Sequence, residues 1–266
     1  MRISVTRLAA FGALIATLAI APSPTGGVGL RVVPGKIEVD VTPGMAANVP
    51  VTVSNVSDYP AHVVISTGEY TVDDAGLYHY AQPTGGGTSL AKWIALRPRE
   101  FDMPPQSFQQ VQLSLLVPRG ELRGEYAGVI FIQTRPPRTG AGVGIGFSAR
   151  YADKVYATVA GTGERGGRII HIDAAADAHG TETYKVVFQN TGTMHEYLNG
   201  RVEIVHNGSI IQTLAFRKNA LVERGGERTL EVTGNRLAPA SYDVVAIVDY
   251  GGAKRTGGKF HLEAHT

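Results

Sequence analysis

Three places in the sequence carry residue types at spacings that could do chemistry. The first is a glycine run, where Gly140, Gly142, Gly144 and Gly146 alternate with other small or apolar residues. Within it the six residues from Gly144 to Ala149, "GIGFSA", match the G-x-G-x-x-A form of a loop whose backbone amides cradle a phosphate. That fingerprint needs a strand before it, a helix start after it and an acid about 20 residues further on. The next residues, "RYADKVYATV" at 150–159, are instead rich in tyrosine and valine and lack helical periodicity. The segment therefore reads as a strand, either an ordinary hairpin arm or one that lends itself to a partner. Glycine at alternate positions strips one face of side chains, which weakens the strand alone and lets another surface come close.

The second place is "HIDAAADAHG", where Asp173, Asp177 and His179 could reach a metal. A polar turn ahead of a strand at Tyr184–Phe188 explains the same residues more simply. The third is His195 and Glu196, which come after "NTGTM" and read as loop surface. No H-E-x-x-H, G-x-S-x-G or P-loop pattern occurs. The expectation is a protein that is not an enzyme and has no catalytic residues, no cofactor and no metal site. Trp93, the single tryptophan, reads as a core or domain-contact anchor.

The chain as a whole narrows the setting. Arg2 and Arg7 precede an apolar run from Leu8 to Ala21, too short for a membrane span of about 20 residues. With Ala19, Ile20 and Ala21 as a small-residue cleavage site, residues 1–27 read as a secretory signal peptide and short leader, with a mature start between residues 22 and 29. There are 25 basic and 23 acidic residues, and without Arg2 and Arg7 the signs balance. This argues against nucleic acid as a partner. Cysteine is absent, which removes thiol nucleophiles, cysteine metal sites and lipid attachment at an N-terminal cysteine. The expected product is periplasmic or secreted, with no stable membrane span after cleavage.

The elements that would position any site are strands. Val49, Val51 and Val53 alternate, as do Ala61, Val63 and Ile65, then Val111, Leu113, Leu115 and Val117, then Ile130 and Ile132. A period of two sends every second side chain into a core. After the polar, glycine-rich "AGTGERGG" at residues 160–167 a second series begins: Tyr184, Val186 and Phe188, then Val202 and Ile204, Leu230 and Val232, and finally Tyr242, Val244, Ala246 and Val248. The expected fold class is all-β, with two immunoglobulin-like β-sandwich domains in series at residues 28–162 and 163–266.

Within the first half, "PGKIEVDVTPGMAANVPVTVSNVSDYP", "WIALRPREFDMPPQSFQQVQLSLLVP" and "GEYAGVIFI" succeed one another in an order that resembles the N-terminal domain of pilus-type periplasmic chaperones. The second half looks like a generic bacterial immunoglobulin-like domain. The resemblance covers about residues 28–160 and implies a function: binding an extracytoplasmic pilus or surface subunit by β-strand addition. The last strand of the domain would lend Val143, Ile145, Phe147 and Ala149 to the subunit, and Lys36 and Lys154 would hold its terminal carboxylate. An anion between two ammonium groups turns their repulsion into charge-assisted hydrogen bonds. The alternative for the pair is two unrelated solvated lysines, and for the protein a structural or adhesive surface module that binds protein or cell-wall glycan.

Overall fold

A computed structural model describes residues 29–84, 89–135, 149–251 and 254–264. The signal-peptide segment, and Val143, Ile145 and Phe147, lie outside the described residues. Within them the chain is built of strands and turns with no helix, so the fold is all-β.

Two pairs of sheets lie in succession along the chain. In the first half β1 (Leu30–Val33), β3 (Ala46–Asn55), β8 (Ser107–Leu116) and β6 (Ile94–Arg97) form one sheet in that order. The facing sheet runs β2 (Lys36–Val41), β10 (Arg150–Val159), β9 (Glu125–Arg135), β4 (Ala61–Val72) and β5 (Tyr78–Ala81), with β7 (Glu100–Met103) also on β4. The first edge therefore changes sheets between Val33 and Lys36: β1 pairs antiparallel with β3, and β2 pairs parallel with β10. In the second half β11 (Gly167–Ala176), β12 (Glu182–Asn190) and β16 (Glu227–Gly234) face β14 (Ser209–Ala215), β13 (Glu196–His206), β17 (Ala240–Tyr250) and β18 (Lys254–Ala264), with β15 (Ala220–Val222) on β13.

The alternating residues fill two separate cores. Val51, Val53, Val63, Ile65, Val111, Leu113, Leu115, Ile130, Ile132, Val155 and Ala157 pack together in the first. Tyr184, Val186, Phe188, Leu198, Val202, Ile204, Val244, Ala246 and Val248 pack in the second. Strands β3 and β12, one in each sandwich, end in the same way. Asn55 donates from Nδ2 to the carbonyls of Tyr59 and Pro104 and accepts from the Ser57 amide. Asn190 donates to the carbonyls of Met194 and Glu223 and accepts from the Gly192 amide. A buried amide in each domain thus satisfies the backbone where the strand turns away from its sheet.

Strand β9 departs from alternation, because Gly128 through Ile132 are all buried. Its outer face is covered as well: Phe131 lies over Gly68, where a Cβ would come within 2.4 Å of the ring. Tyr80 meets Phe131 edge-on at 5.4 Å, and the Arg150 guanidinium sits 3.7 Å above it. Tyr70, Tyr78 and Tyr80 extend this into a row of rings on the side that meets the second domain.

The connection between β10 and β11 is held at several points. Thr162 Oγ1 accepts from the Gly124 amide, and the Glu164 amide donates to Thr193 Oγ1. Because the second core draws only on residues after this connection, a fragment of residues 163–266 is expected to unfold in one cooperative transition followed by circular dichroism. A fragment without a cooperative melt would mean that the two sandwiches depend on their contact to fold.

Candidate functional site

Lys36 opens β2, and its register partner across the parallel ladder is Lys154 in β10. Residues paired in register project to the same face, so the two ammonium groups share the outer face that looks toward the second domain. Their surroundings differ. The Lys154 ammonium donates to the Tyr78 hydroxyl at 2.7 Å and lies 4.2 Å above that ring. Burial lowers its pKa, against the opposing pull of the Glu223 charge, and the neighbouring Lys36 charge adds to the lowering. Among the described residues no carboxylate pairs with Lys154. Lys36 instead meets Glu38 at 2.5 Å and donates to the Tyr197 hydroxyl at 2.5 Å. Burial opposes its charge, but Glu38 and then Tyr197 raise its pKa.

Lys154 is also where β10 loses one neighbour. The β2 ladder covers Lys154 through Val159 only, whereas β9 pairs with Arg150 through Thr158. The backbone from Arg150 to Asp153 thus has an unoccupied edge among the described residues. Ala149 continues the pairing to β9, exchanging backbone and side-chain hydrogen bonds with Thr134. Of the six candidate partner-binding residues, the structure places Lys36 and Lys154 side by side and Ala149 at the start of the open edge.

Behind this pair lies an ionic contact between the domains that the residue pattern does not announce. His195 and Glu196 are not loop surface. They are 6% and 0% exposed: His195 is pressed against the first domain, and Glu196 lies against Arg165 of the connection. His195 Nδ1 meets Glu125 Oε2 at 2.7 Å, its Nε2 meets Glu38 Oε1 at 3.1 Å, and its backbone amide donates to Glu125 Oε1 at 2.9 Å. A carboxylate at each ring nitrogen favours the protonated imidazole. Burial opposes that charge, and Glu125, then Glu38 and Glu223, outweigh it and raise the pKa. The Tyr156 ring stacks on His195 at 4.0 Å. Tyr156 and Tyr70 both donate to Glu223, whose pKa burial raises. Burial pushes the Tyr78 hydroxyl up to about 12, with help from the Glu223 charge. Glu196, on the opposite side of the strand, accepts from Arg165 of the connection.

The remaining sequence candidates have structural surroundings. Asp177 Oδ1 accepts from the amides of His179 and Thr181 and so closes the turn before β12. No group of three or more metal-binding side chains converges among the described residues. Trp93 packs against the first core with its ring 4.5 Å from that of Tyr126.

No family model matches the sequence, and no curated protein matches it. Solved structures do match. The class 5 fimbriae chaperone CfaA aligns over 90% of this chain and 100% of its own, with a TM-score of 0.50 and 11% identity. The chain has the fold of a fimbrial chaperone. The SafB chaperone, solved in complex with the Salmonella enterica SafA pilin, aligns over 90% of this chain and 98% of its own, at TM-score 0.48 and 15% identity. The CsuC–CsuE chaperone and tip-adhesion-subunit complex of Acinetobacter baumannii aligns over 87% and 97%, at TM-score 0.47 and 11% identity. On this chaperone fold the lysine pair sits in the cleft between the two sandwiches, since Tyr197 of the second domain reaches Lys36 of the first. Among the described residues no helix is long and apolar enough to cross a membrane.

Proposed function

We propose that the protein is a periplasmic, non-enzymatic chaperone that binds pilus or surface subunits by lending them a β-strand. The observation that carries this reading is the coincidence of the Lys36–Lys154 pair with the point where β2 stops covering β10. An exposed strand edge is a template for another chain. A subunit strand laid on this edge, in line ahead of β2, has two possible directions. Running parallel to β10, as β2 does, it would reach the two lysines with its terminal carboxylate. Running antiparallel, it would reach them with an amine, which two ammonium groups repel. The cations therefore select both an end of the chain and a direction.

Affinity would come from the segment that precedes this anchor. Val143, Ile145, Phe147 and Ala149 occupy alternate positions leading into β10, so they share one face of an extended chain. Fully burying a large apolar side chain is worth roughly 1.5–3 kcal/mol, and three of these four are large. Replacing Ile145 and Phe147 together by serine is expected to abolish co-purification of the envelope subunit while the melting midpoint stays within about 2 °C, since exposed surface changes move stability by less than roughly 0.5 kcal/mol. If the double variant unfolds, this face belongs to the protein's own core and the donor role is wrong. If neither binding nor stability changes, the protein is the surface module instead.

A further inference from the structure

The two lysines of the anchor stand in register but are not equivalent. Lys154 bonds only to a neutral hydroxyl, with the Glu223 charge acting on it from beyond bonding distance, whereas Lys36 is already bonded to a carboxylate, Glu38. Glu38 lies two residues along β2, on the same face, and its register partner is Tyr156. The Lys36 and Glu38 side chains are 37% and 44% exposed, so an incoming group can reach the pair. Glu38 also has two partners in the second domain. The Tyr197 hydroxyl donates to it at 3.1 Å, and His195 Nε2 meets it at 3.1 Å.

We propose that Glu38 is a resident competitor that sets the selectivity of the anchor: it occupies Lys36 in the free protein and yields it to one incoming carboxylate. The inference rests on the reading of Lys36 and Lys154 as a carboxylate anchor. Two bare ammonium groups side by side repel each other. With Glu38 bonded to Lys36, the three groups carry a single net positive charge, which one carboxylate neutralises. Giving up Lys36 does not strand Glu38, because His195 and Tyr197 remain bonded to it. The lysine has three N–H donors, of which Glu38 and Tyr197 engage two, so a ligand oxygen can dock before Glu38 lets go. The cost of displacement falls on a carboxylate that takes Lys36 from Glu38, whereas a neutral chain end leaves that pair in place and does not bear it. The residue thus lowers affinity for a carboxylate end and narrows the margin by which the anchor prefers it to a neutral one.

The test uses the full mature protein and a defined probe: an N-acetylated heptapeptide of alternating valine and threonine, made as the free acid and as the C-terminal amide. Titration calorimetry reads the ratio of the two affinities. Wild type is expected to prefer the acid, Lys154→Ala to lose that preference, and Glu38→Gln to raise acid affinity about five- to tenfold while leaving the amide unchanged, a coupling of the size seen for close charges in partly exposed sites. Glu38→Asp, which keeps the charge, is expected to behave like wild type to within about twofold. If wild type binds acid and amide alike, the anchor reading itself fails, and this inference with it. If wild type prefers the acid but Glu38→Gln leaves or lowers that preference, the anchor stands and Glu38 only props Lys36. Equal effects of Glu38→Gln and Glu38→Asp would show that shape rather than charge is responsible, which also overturns the proposal.

Discussion

Replacing Glu125 by alanine is expected to destabilise the protein by about 3–5 kcal/mol, the range for removing one member of a buried ion pair. Glu125 opens β9 and is 3% exposed. Its two oxygens take the His195 ring and the His195 backbone amide, and Thr158 Oγ1 adds a longer contact at 3.4 Å. Truncation would leave a buried imidazolium with only the half-exposed Glu38, and a buried amide with no acceptor. Each orphaned group costs its own desolvation, which is why loss of one partner exceeds the net worth of the pair. For a chain of this size, roughly 2–4 °C of midpoint accompanies each kcal/mol, so calorimetry should show a fall on the order of 10 °C. The double variant with His195→Ala should be less destabilised than the sum of the two single changes, since the orphaned cation is gone. A loss below about 1 kcal/mol, in the range of surface ion pairs, would mean that water reaches the contact and that it does not fasten the domains.

That contact marks the limit of what a residue pattern conveys. Strands such as Val111–Val117 or Tyr242–Val248 are legible because a half-buried strand has a period, and the period is local. The choice of Lys36 and Lys154 as a pair comes from the resemblance to pilus-type chaperones, and their parallel register from the structure; neither lysine stands out by its neighbours in sequence. His195 and Glu196 read as surface for a physical reason. They come after a polar turn; the docking of one sandwich on the other removes His195 from water, and Arg165 of the connection covers Glu196. Glu38 is hidden in the same way, since its three partners are Lys36, two residues away, and His195 and Tyr197, more than 150 residues further on. The continuous burial of β9 is a third case. An aromatic row from β4 and β5 covers its outer face, and nothing within β9 itself signals that cover. One long-range feature is within reach of the sequence: "SNVS" and "QNTG" both place an asparagine at the end of an apolar strand, and Asn55 and Asn190 do equivalent work in the two sandwiches.

Stability is expected to fall as pH rises above about 6.5, and His195→Gln should flatten that fall. The groups facing His195 are Glu125, Glu38 and Glu223, with the Tyr156 ring stacked on it and the Tyr197 ring edge-on at 5.2 Å. Its pKa in the folded protein lies above the ordinary value of about 6.5 that it recovers on unfolding. A cation of this kind contributes its full stabilisation below the unfolded pKa and loses it as pH rises through the folded one. In that window the folded state binds the extra proton, so the slope of stability against pH is negative and at most about 1.4 kcal/mol per pH unit for one group. The carboxylates act elsewhere. Glu38, lowered by Lys36 and His195 against its burial, adds stability that is complete above about pH 4.3. Glu223, raised by burial, begins to lose stability from about that same pH upward. His62 and His261 are also raised, by exposed carboxylates, and remain in both proteins, so the difference between wild type and His195→Gln isolates the buried ring. Urea melts at half-unit steps from pH 6 to 9 would measure it. Parallel curves for the two proteins would show that His195 is neutral in the folded state, and the contact between the domains would then be a hydrogen-bonded one without a charge at its centre.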